Sequence, residues 1–193
     1  MIHEATRRSE LELSEVLNNR FSPRAFSARE VSDQELELVL EAARWAPSSM
    51  NEQPWRFVVT RRGGDAHAQL LETLNPSNRI WGDKAPVLIL AMVQRTLSRN
   101  GQVNHHARHD LGLATAHFTA QATALGMGVH ILGGFNAEAA RTAFNVPEDL
   151  DIVSVLVLGF PGEADQLPEN LRERESRRSV RLPLSELVRY GTY

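Results

Sequence analysis

The segment Arg20-Phe21-Ser22-Pro23-Arg24 places two guanidiniums and a hydroxyl within five residues. A phosphate dianion gives up its water only to several charge-assisted donors, and arginine forks supply them in planar pairs. A solvated basic turn would use the same residues, since exposed arginines are common. A second polar cluster follows in APSSMNEQPW, residues 46 to 55, where the hydroxyls of Ser48 and Ser49 and the amides of Asn51 and Gln53 are neutral, directional donors and acceptors. An uncharged heteroaromatic ring or a polyol chain calls for groups of that kind, because a charge there would have to be desolvated at high cost. The alternative is a loop whose polar groups satisfy its own backbone.

Gly133 and Gly134 follow an apolar run and precede Phe135, which suits either close backbone approach to a flat ligand or a tight turn. No G-x-G-x-x-G opens a helix and no P-loop is present, so a nicotinamide nucleotide would have no dedicated Rossmann site. His105, His106, His109 and Asp110 suggest a metal, yet they straddle a loop and a helix start without H-E-x-x-H spacing. For Asp110 the simpler role is to favour the positive end of a helix, and for the histidines to face solvent or a substrate opening. Trp45, Trp55 and Trp81 could stack on a ligand, but core packing is the commoner use, above all for Trp55.

These residues must be held by a fold, and the totals limit which. With 193 residues and 42% hydrophobic content, one domain with one substantial core is expected. A net charge of −3 provides no global field toward nucleic acid or an anionic membrane, so neither is expected as a partner. The absence of cysteine excludes disulfides, thiolate metal sites and thiol nucleophiles, leaving any redox chemistry to a bound cofactor. Of the 21 basic residues only Lys84 is a lysine, so planar bidentate donors predominate. The first residues lack the apolar core of a secretory signal and no apolar run is long enough to span a bilayer, which predicts a cytoplasmic protein.

Apolar spacing predicts a helix over 9–18 and a second one opened by a Ser32/Glu35 capping box and closed by Pro47. WRFVVT at 55–60, PVLILAMV at 86–93, the run before Gly133 and IVSVLVLGF at 152–160 read as strands, the second and last buried on both faces. Helices are expected over 66–74, about 109–125 with a stop at Gly126, and from an Asn136 cap through about 144. From about 164 to 193 the chain is polar before a short amphipathic end, which reads as an arm laid across a partner subunit.

In this order RFSPRAF (20–26), ARWAPSSMNEQPWRFVV (43–59), the D-x-G-x-A helix start at Asp110, ALGMGVHILGGF (124–135) and RLPLSELV (181–188) resemble the FMN-dependent nitroreductase family over nearly the whole chain. The resemblance implies an α+β fold, an α/β/α sandwich with a mostly antiparallel central sheet completed by the partner's C-terminal arm, in a homodimer with FMN at the interface. It implies that Arg20, Ser22 and Arg181 hold the phosphate and that Arg24 lies near the pyrimidine edge. From the second copy, Pro47, Ser48, Ser49 and Asn51 would line the ring and ribityl chain. Asn78 would lie on the pyrimidine side, and Gly133 and Gly134 would bring backbone N–H groups toward N5 and O4. Phe21 stands where many relatives carry a basic or imidazole residue, and Ser179 where some carry lysine. The implied activity is hydride transfer from NAD(P)H through FMN to a nitro compound, quinone or related conjugated acceptor. Dehalogenases, flavin-fragmenting enzymes and ring dehydrogenases share the scaffold. A non-enzymatic flavin sensor and a histidine metal protein are the rival classes.

Overall fold

Val87–Gln94 is apolar along its whole length, so both of its faces must be covered. In the computed structural model, which describes residues 9, 11–176 and 181–192, this strand is central. The strands are β1 (Trp55–Arg61), β2 (Val87–Gln94), β3 (Gly128–Leu132) and β4 (Leu150–Gly159), and every neighbour is antiparallel in the order β1-β2-β4-β3. Side chains alternate across the pleat, which divides the core in two. Val87, Ile89, Ala91 and Val93 join one cluster, while Leu88, Leu90 and Met92 join the other.

Helices cover each face. On the first lie α2 (Asp33–Arg44) and α5 (Ala107–Ala124), contributing Leu36, Val39, Ala43, Leu111, Ala114, Phe118 and Ala122. On the second lie α3 (Asp65–Thr73), α4 (Pro76–Gly82), α6 (Ala137–Ala143) and α7 (Glu169–Ser176), contributing Leu70, Trp81, Ala140 and Leu171, with Leu74 just after α3. The architecture is therefore an α+β three-layer sandwich.

Local chemistry sets most boundaries. Ser32 and Glu35 form the expected reciprocal box at the start of α2, with Val31 and Leu36 buried beside it. Asn136 caps α6 by accepting the Ala139 N–H at 3.0 Å. Gly126, at φ +75°, ends α5 in the left-handed region as expected. The first helix departs from its prediction: α1 is only Glu15–Asn19, and Leu11, Leu13 and Leu17 stay exposed, so little apolar burial supports a longer helix there. α4 and α7 are helices that the sequence does not predict: 76–82 carries no marked pattern, and 169–176 lies within the stretch expected to form an arm across a partner.

Residues 164–176 lie on their own chain, with Leu167 and Leu171 buried and Arg172 donating to the Asp165 and Leu167 carbonyls. The uncovered apolar side chains begin later, at Leu182, and continue through Leu184, Leu187, Val188 and Tyr190 around α8 (Leu184–Leu187).

One close approach anchors the loop before the sandwich. A Cβ on Gly128 would stand 2.3 Å from Pro23 Cγ and 2.8 Å from Cδ. The proline ring cannot swing aside, because its φ is fixed and its carbonyl is held by His130 at 2.9 Å. Gly128→Ala is expected to cost about 2 kcal/mol in urea unfolding by overpacking. Adding Pro23→Ala should recover most of that loss; equal losses in the single and double variants would show that the contact is not the cause.

Candidate active site

The 20–24 loop is tied to one corner of the sheet. His130 on β3 meets the Pro23 carbonyl, Phe26 bridges Pro161, and the Gly162 N–H donates to the Ala25 carbonyl at 2.9 Å. A carbonyl can only accept, so His130 Nδ1 carries the proton. Burial is the main cause that pushes this imidazole down to about 4, with the Arg24 and Arg174 charges adding to it and hydrogen bonds opposing. It is neutral at neutral pH, and its ring lies against Trp81 at 4.7 Å.

Arg20 Nη1 donates to Ser22 Oγ at 3.2 Å. Its guanidinium is held below its usual pKa, first by burial and then by the charge of Arg181. A like charge from the other end of the chain thus acts on Arg20 beside a hydroxyl. Such an arrangement is relieved by a bound dianion, and the donor set fits a phosphate. Phe21 sits half-buried within this loop. Arg24 lies beside Glu175 at 3.8 Å and is likewise held below its usual value, by burial first, then by Arg174, with Glu175 opposing.

Further along the same edge, beyond β3, Asn78 Nδ2 and the Asn75 N–H both donate to the Gly134 carbonyl at 3.0 Å. A Cβ on Gly134 would meet Asn78 Nδ2 at 2.8 Å, whereas Gly133 faces open space. The structure thus brings Asn78, Gly133 and Gly134 together on the edge that also carries Arg20, Ser22 and Arg24.

The 47–53 loop is elsewhere. It enters β1 at Trp55, and the Ser49 N–H donates to Asp110 Oδ2 at 3.1 Å at the start of α5. Asp110 is 2% exposed, so it is a clamp for this loop as well as an acidic residue in the first helical turn. Ser48 Oγ accepts the Gln53 N–H and Gln53 Nε2 donates to the Asn51 carbonyl, both at 3.0 Å, so part of the loop does serve itself. Among the described residues the Ser49 hydroxyl and the Asn51 side-chain amide make no hydrogen bond. Pro47 is exposed next to them. Met50, Asn51 and Gln53 hold φ of +53°, +58° and +47°, a strained conformation for non-glycine residues and a frequent one at ligand-binding walls.

Trp55 and Gly128 mark diagonal corners of the sheet: Trp55 pairs with Val93 at one end of β1, and Gly128 pairs with Gly159 at the other end of the far edge strand. Three strand spacings and about seven residues of strand separate them, about 14 Å across by about 23 Å along. The two polar clusters read from the sequence thus lie far apart within one chain. Two surface clefts, of about 350 Å³ beside Ile80 and about 230 Å³ beside Asn104, are lined by neither cluster.

The nitroreductase family model matches residues 17–160. The chain belongs to the nitroreductase family. Across 155 residues, 78% of this chain and 86% of the relative, it is 30% identical to an Archaeoglobus fulgidus protein whose assigned name, NADH dehydrogenase/NAD(P)H nitroreductase, is itself provisional. It is 26% identical to iodotyrosine deiodinase 1 of Sus scrofa over 86% of this chain and 66% of that one. A solved structure described as an oxidoreductase containing FMN superposes with a TM-score of 0.92, at 30% identity over 97% of this chain and 96% of the other.

In this nitroreductase, Glu175, His130 and the Asp110 clamp are absent from the sequence reading. Their partners lie 151, 107 and 61 positions away, and no spacing rule links them. Arg181 falls within the described residues and Ser179 outside them. His105, His106 and His109 are exposed, and among the described residues no three histidine or acidic side chains converge for a metal. Trp55 and Trp81 are core, while Trp45 is exposed and bonded to Glu41. Among the described residues no helix is long and apolar enough to cross a membrane.

Proposed function

We propose that this nitroreductase works as a homodimer in which FMN lies between the β3 edge of one copy and the 47–53 loop of the other, and that it passes electrons from NAD(P)H to a nitroaromatic, quinone or related conjugated acceptor. The observation that carries this reading is the diagonal separation of two complementary half-sites, one cationic and one neutral, within a single chain. A second copy is the simplest source of the missing half. The uncovered apolar side chains from Leu182 to Tyr190 suit an arm packed on that copy, where it could complete the sheet.

Bound FMN supplies hydride acceptance from the nicotinamide and delivery to the acceptor. The chain binds and orients. Arg20, Ser22 and Arg181 would neutralise and hydrogen-bond the phosphate, with Phe21 beside them. Arg24 would place a cation at the edge where reduction builds negative charge, which favours the reduced form. Ser49 and Asn51, with Pro47 and Ser48, would line the ring and ribityl chain by neutral contacts that cost little desolvation. Asn78 would lie on the pyrimidine side, and Gly133 and Gly134 would bring backbone N–H groups toward N5 and O4. Donor and acceptor use one open face in turn, so the site needs orientation rather than an acid–base pair.

The test is anaerobic oxidation of NADPH and of NADH by the purified yellow protein with nitrofurazone or menadione. Bleaching of the flavin by a reduced nucleotide and its recovery on adding acceptor are expected. Flavin that stays oxidised with both donors would overturn the reading.

A further inference from the structure

Glu175, in the last turn of α7, spends its carboxylate on the phosphate loop. Its two oxygens accept the Arg24 N–H at 2.9 and 3.0 Å, and one accepts the Ala25 N–H at 3.2 Å. On the other side His130 Nδ1–H donates to the Pro23 carbonyl at 2.9 Å. The three residues Pro23 to Ala25 are therefore gripped from both directions. The Glu175 side chain is 8% exposed, so few waters can replace these bonds.

The Arg24 guanidinium is treated differently. Its nearest carboxylate oxygen is at 3.8 Å, an ion pair without a hydrogen bond, and among the described residues its own donors make none. Burial and Arg174 outweigh Glu175 in their effect on this cation. Glu175 thus fixes where the Arg24 stem starts more than it cancels the charge at its tip.

We propose that Glu175 is a positioning residue for the redox site: by holding the Arg24 backbone it keeps the unspent guanidinium aimed at the electron-rich edge of bound FMN. This rests on the FMN reading above.

The sign of the effect on potential tests it. Deleting a negative charge near a flavin directly favours reduction and raises the midpoint potential. Losing the aim of Arg24 removes a stabilising cation and lowers it. Glu175→Gln is expected to lower the potential of the bound FMN, with the preference for reduced over oxidised flavin falling about tenfold, or about 30 mV for a two-electron couple. Arg24→Gln should lower it at least as far, and the double variant should add nothing further. Glu175→Asp keeps the charge but retracts the carboxylate, so an intermediate drop is expected. It also serves if the glutamine variant folds poorly. A rise in Glu175→Gln, or no change in Glu175→Asp, would overturn the positioning role while leaving the FMN reading intact. A wild-type protein without FMN, or an Arg24→Gln potential equal to wild type, would instead sink the reading beneath it.

Discussion

Replacing both Arg20 and Arg181 by alanine is expected to weaken FMN binding by about three orders of magnitude, while riboflavin, which lacks the phosphate, loses less than about threefold. Each guanidinium would contribute charge-assisted hydrogen bonds to the phosphate worth about 1.5–3 kcal/mol, which corresponds to roughly tenfold to a hundredfold per arginine. The two are not independent. Each sits in the field of the other before ligand arrives, and Arg20 is held below its usual pKa partly for that reason. Removing one relieves that repulsion, so the two single variants should show a coupling in a double-mutant cycle. Fluorescence titration of apoprotein with FMN and with riboflavin measures both. Equal losses for the two ligands would mean that these arginines serve the fold rather than the phosphate.

The second large effect is on stability in mild acid. His130 falls from an ordinary value of 6.5 in the unfolded chain to about 4 in the folded one. Between those values the unfolded chain binds the proton and the folded chain does not. Stability is therefore full above pH 6.5, declines as pH falls toward 4, and levels off below that. The total corresponds to at most about 3 kcal/mol. His67, 4% exposed and lowered chiefly by its own burial, adds in the same direction. His130→Asn keeps a donor near the Nδ1 position and cannot titrate. It should be less stable at pH 7.5, having lost the ring packed on Trp81, yet should lose less on going to pH 4.5. Urea unfolding at both pH values reads this directly, and an unchanged slope would assign the acid sensitivity elsewhere.

Local rules reached as far as local causes did. Ser32 and Glu35, the unbroken apolar run of β2, Gly126 and Asn136 each act through neighbours a few positions away, and all appear where the sequence put them. α4 was hidden although Pro76 is a sound first helical residue, because seven residues show little periodicity. α7 was hidden because its composition is almost wholly polar, with Leu171 as its buried anchor. The residues that the motif resemblance names fall, in the structure, at two corners of the sheet. The supports behind those residues were illegible. Glu175 reading the amides of Arg24 and Ala25, and Asp110 reading that of Ser49, are contacts between side chains and backbone, and backbone groups leave no mark in a sequence.

If two copies pair as proposed, the diagonal placement of the two corners has a genetic consequence. In a symmetric pair each chamber borrows one corner from each copy, so a lesion at either corner spoils both chambers of a uniform pair. Two differently damaged copies behave otherwise when they assemble together, one altered at Arg20 and the other at Ser49. One chamber then inherits both defects and its neighbour inherits none, so alleles that are each inactive alone can rescue one another.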